Sequence, residues 1–308
     1  MILMRPSLPL PTHLSSLPFT VHEARAAGLS SGRLRSSDLA SAGRLLYVPA
    51  GWEFELRGLA RALSTATPGA WISHLTAAAL LGLWLPGWFQ GCQELHLSKP
   101  RALPPVRREG VVGHTVLVFD DEVTLWDGMR ISTPARTWLD LAGLLPLEDV
   151  VAMGDQLVRQ PRPDLEDRAE PWSTLPQLRE MLKRHPKLKG IVKARHATEL
   201  IRPGADSAPE TFLRLALTAA GLPEPELQLR ILPNDPYSSA ADMGYRLHRI
   251  AIQYDGGHHL TREQQSRDIR RDESFNSAGW RYFKLNADDL AQGFRGAVNK
   301  VRAALQGH

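Results

Sequence analysis

Asp242, Gln253 and Asp255, the last followed by Gly256-Gly257-His258-His259, are the residues of this chain whose types and spacing could do chemistry. Two carboxylates and a neutral amide oxygen suit a hard cation. Mg²⁺ (or Mn²⁺) takes one or two carboxylates with water and substrate phosphate oxygens, and needs no complete protein cage. On this reading Asp242 and Asp255 are metal ligands, Gln253 adds an amide oxygen, and His259, with His258 as alternative, binds metal or moves a proton. The other reading is a surface turn whose polar residues face water.

The elements that must position these groups are legible nearby. Residues 240–245 and 250–255 alternate as two short strands, with Arg246-Leu247-His248-Arg249 between them. A turn centred on Leu247 and His248 sets Asp242 across from Gln253, with Cβ atoms about 4.5–5.5 Å apart. Asp255 then lies roughly 7 Å further along the same face. Met243, Tyr245, Ile250, Ile252 and Tyr254 share the opposite, apolar face. A slip of one residue would exchange the faces.

Upstream, Ser207-Ala-Pro-Glu210 opens a helix, with Glu210 three residues after Ser207 as a capping box and Pro209 in the first turn. Leu213 and Leu217 give that helix an apolar stripe, Gly221 ends it, and residues 227–233 form a strand. Downstream, Thr261 opens a polar helix carrying Arg262, Arg267, Arg270 and Arg271. Spacings of three and four put Arg267, Arg270 and Arg271 near one face, where they could clamp phosphate. Asp268 and Asp272 offer the same arginines internal partners. Gly279 stops this helix, residues 280–285 form a last strand, and Asp288 opens a closing helix.

The amino-terminal part holds a different set of signals. Thr20 with Glu23 caps a helix that Gly28 ends, and Ser30 or Ser31 opens a second that runs to Gly43. A strand over 44–48 and a turn at Pro49-Ala-Gly51 complete a winged helix-turn-helix pattern. Arg33 and Arg35 fall on the second helix, where a recognition helix touches phosphates or base edges. A small helical cap with solvated arginines carries the same pattern. Residues 53–158 read as an α+β middle domain, with a helix after Ser73, strands over 94–97 and 111–118, and a helix opened by Thr133-Pro134. His74, His96, His114, Arg136 and Asp155 lack the spacing of a metal or nucleophile motif, and lone histidines in apolar elements are commonly satisfied core residues. No chemistry is assigned to them. The proline- and charge-rich stretch 159–172 reads as a linker. Two helices follow it, with a basic run over 183–195 that could touch a nucleic-acid backbone or form a solvated face.

Composition sets the outer bounds. The chain has 308 residues, enough for two or three domains, and its 43% hydrophobic and 23% charged residues are those of an ordinary globular protein. A single cysteine, Cys92, excludes an intrachain disulfide and fits a reducing cytoplasm. The start is interrupted by Pro6, Pro9 and Pro11, so no signal peptide is expected, and no apolar run approaches the roughly 20 residues of a membrane span. A net charge of +4 is compatible with DNA as a partner without requiring it.

Residues 205–290 resemble the bacterial domain family related to the very-short-patch-repair endonuclease, within the PD-(D/E)xK nuclease fold. The resembling residues are Asp206-Ser-Ala-Pro-Glu210, Gly221-Leu-Pro, Asp242, Ile252-Gln-Tyr-Asp-Gly-Gly-His-His259, Arg267-Asp-Ile-Arg-Arg-Asp272 and Gly279-Trp280. The resemblance implies that Asp242 is the metal-binding Asp, that Glu210 points to the active site, and that position 253 carries the Glu of the motif. Gln253 departs from that pattern, keeping size and an acceptor but removing the charge. Asp255 stands where better-known relatives have lysine. Residues 15–160 resemble AbiEi-type antitoxins of abortive-infection systems, through Phe19-Thr-Val-His-Glu-Ala, Ala27-Gly-Leu-Ser30, Gly43-Arg-Leu-Leu-Tyr-Val-Pro-Ala-Gly51, Ile72-Ser-His-Leu-Thr-Ala-Ala-Ala-Leu-Leu-Gly82 and Ser132-Thr-Pro-Ala-Arg-Thr137.

The expected architecture is therefore multidomain, α+β and α/β: a winged helix-turn-helix (15–52), an α+β middle domain (53–158), a linker with helices (159–204) and a restriction-endonuclease-like domain (205–308). The expected functions are a metal-dependent DNA endonuclease weakened at Gln253, or a non-catalytic transcriptional regulator or antitoxin with a cognate toxin as partner. A third expectation is a carboxy-terminal domain that only binds another protein.

Overall fold

The structure, a computed structural model, describes residues 9–89, 94–162, 166–235, 237–256 and 262–307, without the side chains of 262–268. The architecture is mixed α+β, and the chain forms two compact units. One comprises Met1–Leu144 with Met181–Ile191, the other Leu145–Glu180 with Val192–His308. No described helix is long and apolar enough to cross a membrane.

The first unit begins with β1 (Phe19–Thr20), α1 (Val21–Ala26), β2 (Leu39–Ser41) and β3 (Leu46–Pro49). Thr20 caps α1 as expected: its hydroxyl accepts the Glu23 N–H at 3.1 Å, and the Glu23 carboxylate accepts the Thr20 N–H at 2.7 Å. The second helix expected over 30–43 is not formed. A single 3₁₀ turn spans Arg33–Arg35, and the chain is extended by β2. Ser36, Ser37 and Asp38 favour local side-chain bonds over helix. Arg33 turns inward to meet Asp38 through two bonds of 2.9 and 2.6 Å, closing the turn. The strands assemble antiparallel in the order β1-β3-β2.

Next come α2 (Leu56–Ala66), β4 (Trp71–Ile72), α3 (His74–Leu80), β5 (Leu95–Pro100), β6 (Val111–Val116), β7 (Val123–Trp126), β8 (Met129–Ser132) and α4 (Pro134–Leu141). The sheet runs β6-β5-β4-β8-β7, parallel at β5–β6 and β4–β8 and antiparallel elsewhere. Leu63, Ile72, Leu95, Leu97, Met129 and Ile131 form its core. The β7–β8 hairpin turns at Asp127-Gly128, both at positive φ, the two-residue turn that matches strand twist. Residues 181–191 return to this unit, where Glu122, fully buried, takes His185 Nε2 at 2.6 Å and the Arg136 guanidinium.

The second unit holds α5 (Leu147–Val158), most of α6 (Leu175–Arg184) and α7 (Ile191–Leu200), then α8 (Ala208–Ala219), β9 (Glu226–Arg230), β10 (Ala240–Tyr245), β11 (Ile250–Tyr254), α9 (Arg262–Ser277), β12 (Arg281–Leu285), α10 (Ala287–Ala291) and α11 (Arg295–Gln306). Helix α5 belongs here, not with the middle domain, because buried Asp155 ties it to α8. Its carboxylate accepts Thr211 Oγ1 at 2.7 Å and Arg214 at 2.8 Å, and the Arg202 N–H at 2.7 Å. The expected linker is likewise held within this unit. Arg159 meets Glu166 at 2.6 Å, and Arg162 pairs with Asp206.

The sheet runs β12-β11-β10-β9, antiparallel across β9, β10 and β11 and parallel at β11–β12. One face carries Leu213, Leu217, Met243, Ile250, Ile252, Val298 and Val301. The other is covered as well, with Leu229, Ala241 and Ala251 beneath Phe275 and Trp280. Phe275 of α9 covers part of the face that carries Asp242 and Gln253, so Gln253 is buried while Asp242 and Asp255 are half-buried.

Candidate active site

The hairpin has the register that alternation dictates. Met243, Gly244 and Tyr245 stand opposite Ile252, Ala251 and Ile250, with Arg249 at φ +50° closing the turn. One step further along that register, Gln253 Nε2 donates to Asp242 Oδ1 at 2.7 Å. The Tyr254 N–H donates to the other oxygen, also at 2.7 Å. Gln253 is 8% exposed, and its own Oε1 is buried without a partner. A buried acceptor left unmatched costs about 1–3 kcal/mol, so this oxygen marks the spot where a donor or cation would be stabilised.

Glu210 is the acid brought against Asp242. Its carboxylate accepts the Ser207 hydroxyl at 2.8 Å and the Asp206 N–H at 2.9 Å, while Ser207 Oγ accepts the Glu210 N–H at 3.4 Å. The Ser207 cap of α8 therefore also places Glu210, but its carboxylate takes the Asp206 N–H and not the Ser207 N–H that a full capping box requires. Burial, then the neighbouring Asp242, push the Glu210 carboxyl up to about 8. Burial raises Asp242 too, against the opposing bonds from Tyr254 and Gln253. Two acids that resist ionising together are where a divalent cation gains most.

Other expected residues divide. Asp255 follows β11, donates its N–H to Leu285 O at 2.7 Å and, after burial, helps raise the Tyr254 phenol. Arg271 donates to Tyr282 Oη at 3.2 Å, and its charge acts on Asp242. Arg270 is exposed on α9. His258 and His259 lie outside the described residues, as does the Arg267 side chain. In the first unit Arg35 is exposed, whereas Arg33 is engaged with Asp38.

Three groups escaped the sequence reading. Arg159 and Arg162 supply positive charge that favours ionised Glu210, although their stretch reads as a linker by composition. Lys284 of β12 is the register partner of Gln253 and pairs with Asp272 at 2.6 Å, a placement only the parallel β11–β12 pairing specifies. Third, His74, His96 and His114, whose spacing along the chain forms no motif, converge from three elements of the first unit. Arg136 is buried beside them in an ion network with Glu122 and Asp140, while Asp155 belongs to the other unit. Comparison with family models, curated proteins and solved structures finds no match to the chain.

Proposed function

We propose that the second unit is a divalent-cation-dependent phosphodiesterase acting on DNA, with Glu210, Asp242 and Gln253 as its centre. The observation that carries this reading is the buried Glu210 carboxyl acting on half-buried Asp242, beside the unpartnered Gln253 Oε1. Oxygen donors of this kind fit Mg²⁺ or Mn²⁺, and Asp255 is the further carboxylate of the proposed set. Such a cation, when bound, polarises a phosphate oxygen and lowers the pKa of an attacking water. Arg159, Arg162 and Arg271, whose charges act on the acid pair, orient the phosphate, together with Arg267 and Arg270 of α9. His259 moves the proton. The order α8–β9–β10–β11–α9–β12, with its parallel last pair, supports a restriction-endonuclease-like fold, and the resemblance to the very-short-patch-repair family adds to it.

A second reading, a non-catalytic DNA-binding regulator or antitoxin partnered by a toxin, is favoured by one observation. Gln253 Nε2 occupies the Asp242 oxygen that a metal would take. Arg35, exposed on its 3₁₀ turn, and the β2–β3 hairpin would then meet DNA, and the site would work in the cytoplasm without turnover.

The test is cleavage of single- and double-stranded DNA with Mg²⁺ or Mn²⁺ by the wild type, Asp242→Ala and Gln253→Glu. Cleavage lost in Asp242→Ala establishes the enzyme. Cleavage by Gln253→Glu alone identifies a sound scaffold disarmed at one position, and inertness of all three leaves the regulator.

A further inference from the structure

The first unit contains a convergence of nitrogen ligands that the DNA-cleaving reading does not use. His74 opens α3, His96 lies on β5 and His114 on the neighbouring β6. One ring nitrogen from each lies within 4.8 Å of the others. His96 Nδ1 and His114 Nε2 are 2.9 Å apart, and the His74 and His114 rings stack at 3.5 Å between centroids. Tetrahedral Zn²⁺ holds imidazole nitrogens at roughly 2.0–2.1 Å, which spaces them roughly 3.3 Å from one another. Coordination requires the stacked His74 and His114 rings to rotate so that the in-plane lone pairs of all three imidazoles converge on one point.

The backbone around them is held by direct hydrogen bonds. His74 has φ +50°, the left-handed region that non-glycine residues rarely occupy and that surrounding structure must enforce. The Ser73 N–H donates to His96 O at 3.0 Å, and the His96 N–H to Thr76 Oγ1 at 2.7 Å. Ser73 Oγ touches His74 Nδ1 at 3.0 Å and receives the Ser98 hydroxyl at 2.7 Å. The Ser73 hydroxyl is the contact among these that orients an imidazole, that of His74.

Asp140 completes the picture. One carboxylate oxygen accepts Arg136 Nε at 2.9 Å, whereas Oδ2 is buried without a hydrogen-bond partner, 3.9 Å from His74 Nδ1. His74, His114 and Asp140 line a cavity of about 430 Å³, whose wall also carries Arg101, Lys187 and Lys189. We propose that His74, His96 and His114 bind a borderline divalent cation, Zn²⁺ foremost, with its remaining coordination position open to this cationic cavity and hence to an anionic ligand. All-nitrogen donation disfavours Mg²⁺ and separates this site from the oxygen site of Glu210 and Asp242.

The full-length protein, stripped with chelator and titrated with Co²⁺ alone, tests the assignment. One equivalent is expected to give intense visible bands of four-coordinate Co²⁺ that Zn²⁺ bleaches. His96→Ala and His114→Ala should weaken binding by more than the roughly 10–100-fold that loss of an outer hydrogen-bond partner causes. His114→Cys should retain the metal and add a thiolate-to-cobalt band in the near ultraviolet, showing ligation in a folded protein. Asp242→Ala and Glu210→Gln should leave the intense four-coordinate Co²⁺ bands unchanged, whatever becomes of DNA cleavage. Absence of saturable bands in the wild type overturns the proposal. So do bands that survive His96→Ala and His114→Ala, or that disappear in Asp242→Ala.

Discussion

Ionising Glu210 places a second negative charge beside Asp242 where water scarcely reaches, so its proton is held to about pH 8. The folded carboxyl binds its proton more tightly than the unfolded one, whose ordinary value is 4.5. Stability from this group is complete below pH 4.5 and is lost as pH rises through 8. Wild-type protein in chelator should lose a few kcal/mol between pH 5 and 8, and Glu210→Gln should flatten that slope. Urea unfolding at several pH values reads it, and parallel slopes would sink the idea. Gln253→Glu adds a third acid and removes a bond to a charged acceptor, so it should destabilise the metal-free protein by about 2 kcal/mol at pH 8. Millimolar Mg²⁺ should restore the loss, and a melting temperature indifferent to both changes would argue against a cation at this position. The Asp242–Gln253 meeting was legible because period-two alternation fixes register. Lys284 was not, because parallel pairing between distant segments leaves no local trace.

Two contacts decide how the elements of the second unit hold that site. The Asp155–Arg214 pair, each side chain 1% exposed, locks α5 to α8 and so steadies the helix that starts at Glu210. Arg214→Met leaves an uncompensated buried carboxylate and should cost about 3–5 kcal/mol in denaturant unfolding. A value under 1 kcal/mol would show that the Thr211 and Arg202 bonds to Asp155 suffice without the guanidinium. Within β10, a Cβ at Gly244 would sit 2.2 Å from Ile250 O and 2.6 Å from Leu229 Cδ2. Gly244→Ala should therefore push β10 from both neighbours and cost at least about 1–3 kcal/mol, with loss of the Asp242 geometry read as loss of Mg²⁺ response. A fully wild-type melt would contradict that crowding. Element existence was readable where a local signal dominated, as in the Thr20–Glu23 cap. The helix expected after Ser30 failed because Arg33 reached a partner five residues on, in Asp38. Asp127-Gly128, a strong hairpin signal, was in plain sight between two short strands.

At the scale of the molecule, composition misplaced the boundary. Proline and charge over 159–172 resemble a tether, yet these arginines and acids pair within the second unit. The first unit instead recruits residues 181–191, whose His185 and Arg184 meet Glu122 and Asp121. A fragment ending at residue 158 should be less stable than one ending at residue 191 by about 2–5 kcal/mol, since it strands the buried Glu122 short of a partner. Thermal melts of the two fragments compare them directly, and equal midpoints would dismiss the contribution of 181–191. The same interleaving constrains how the protein can be made and inherited. On the ribosome, residues 1–144 emerge first but must wait for the later segment, while α5 of the other unit is synthesised in between. Closure of the earlier unit is thus postponed behind part of its neighbour. A recombination event joining either unit elsewhere as one uninterrupted stretch of gene would leave it without a piece.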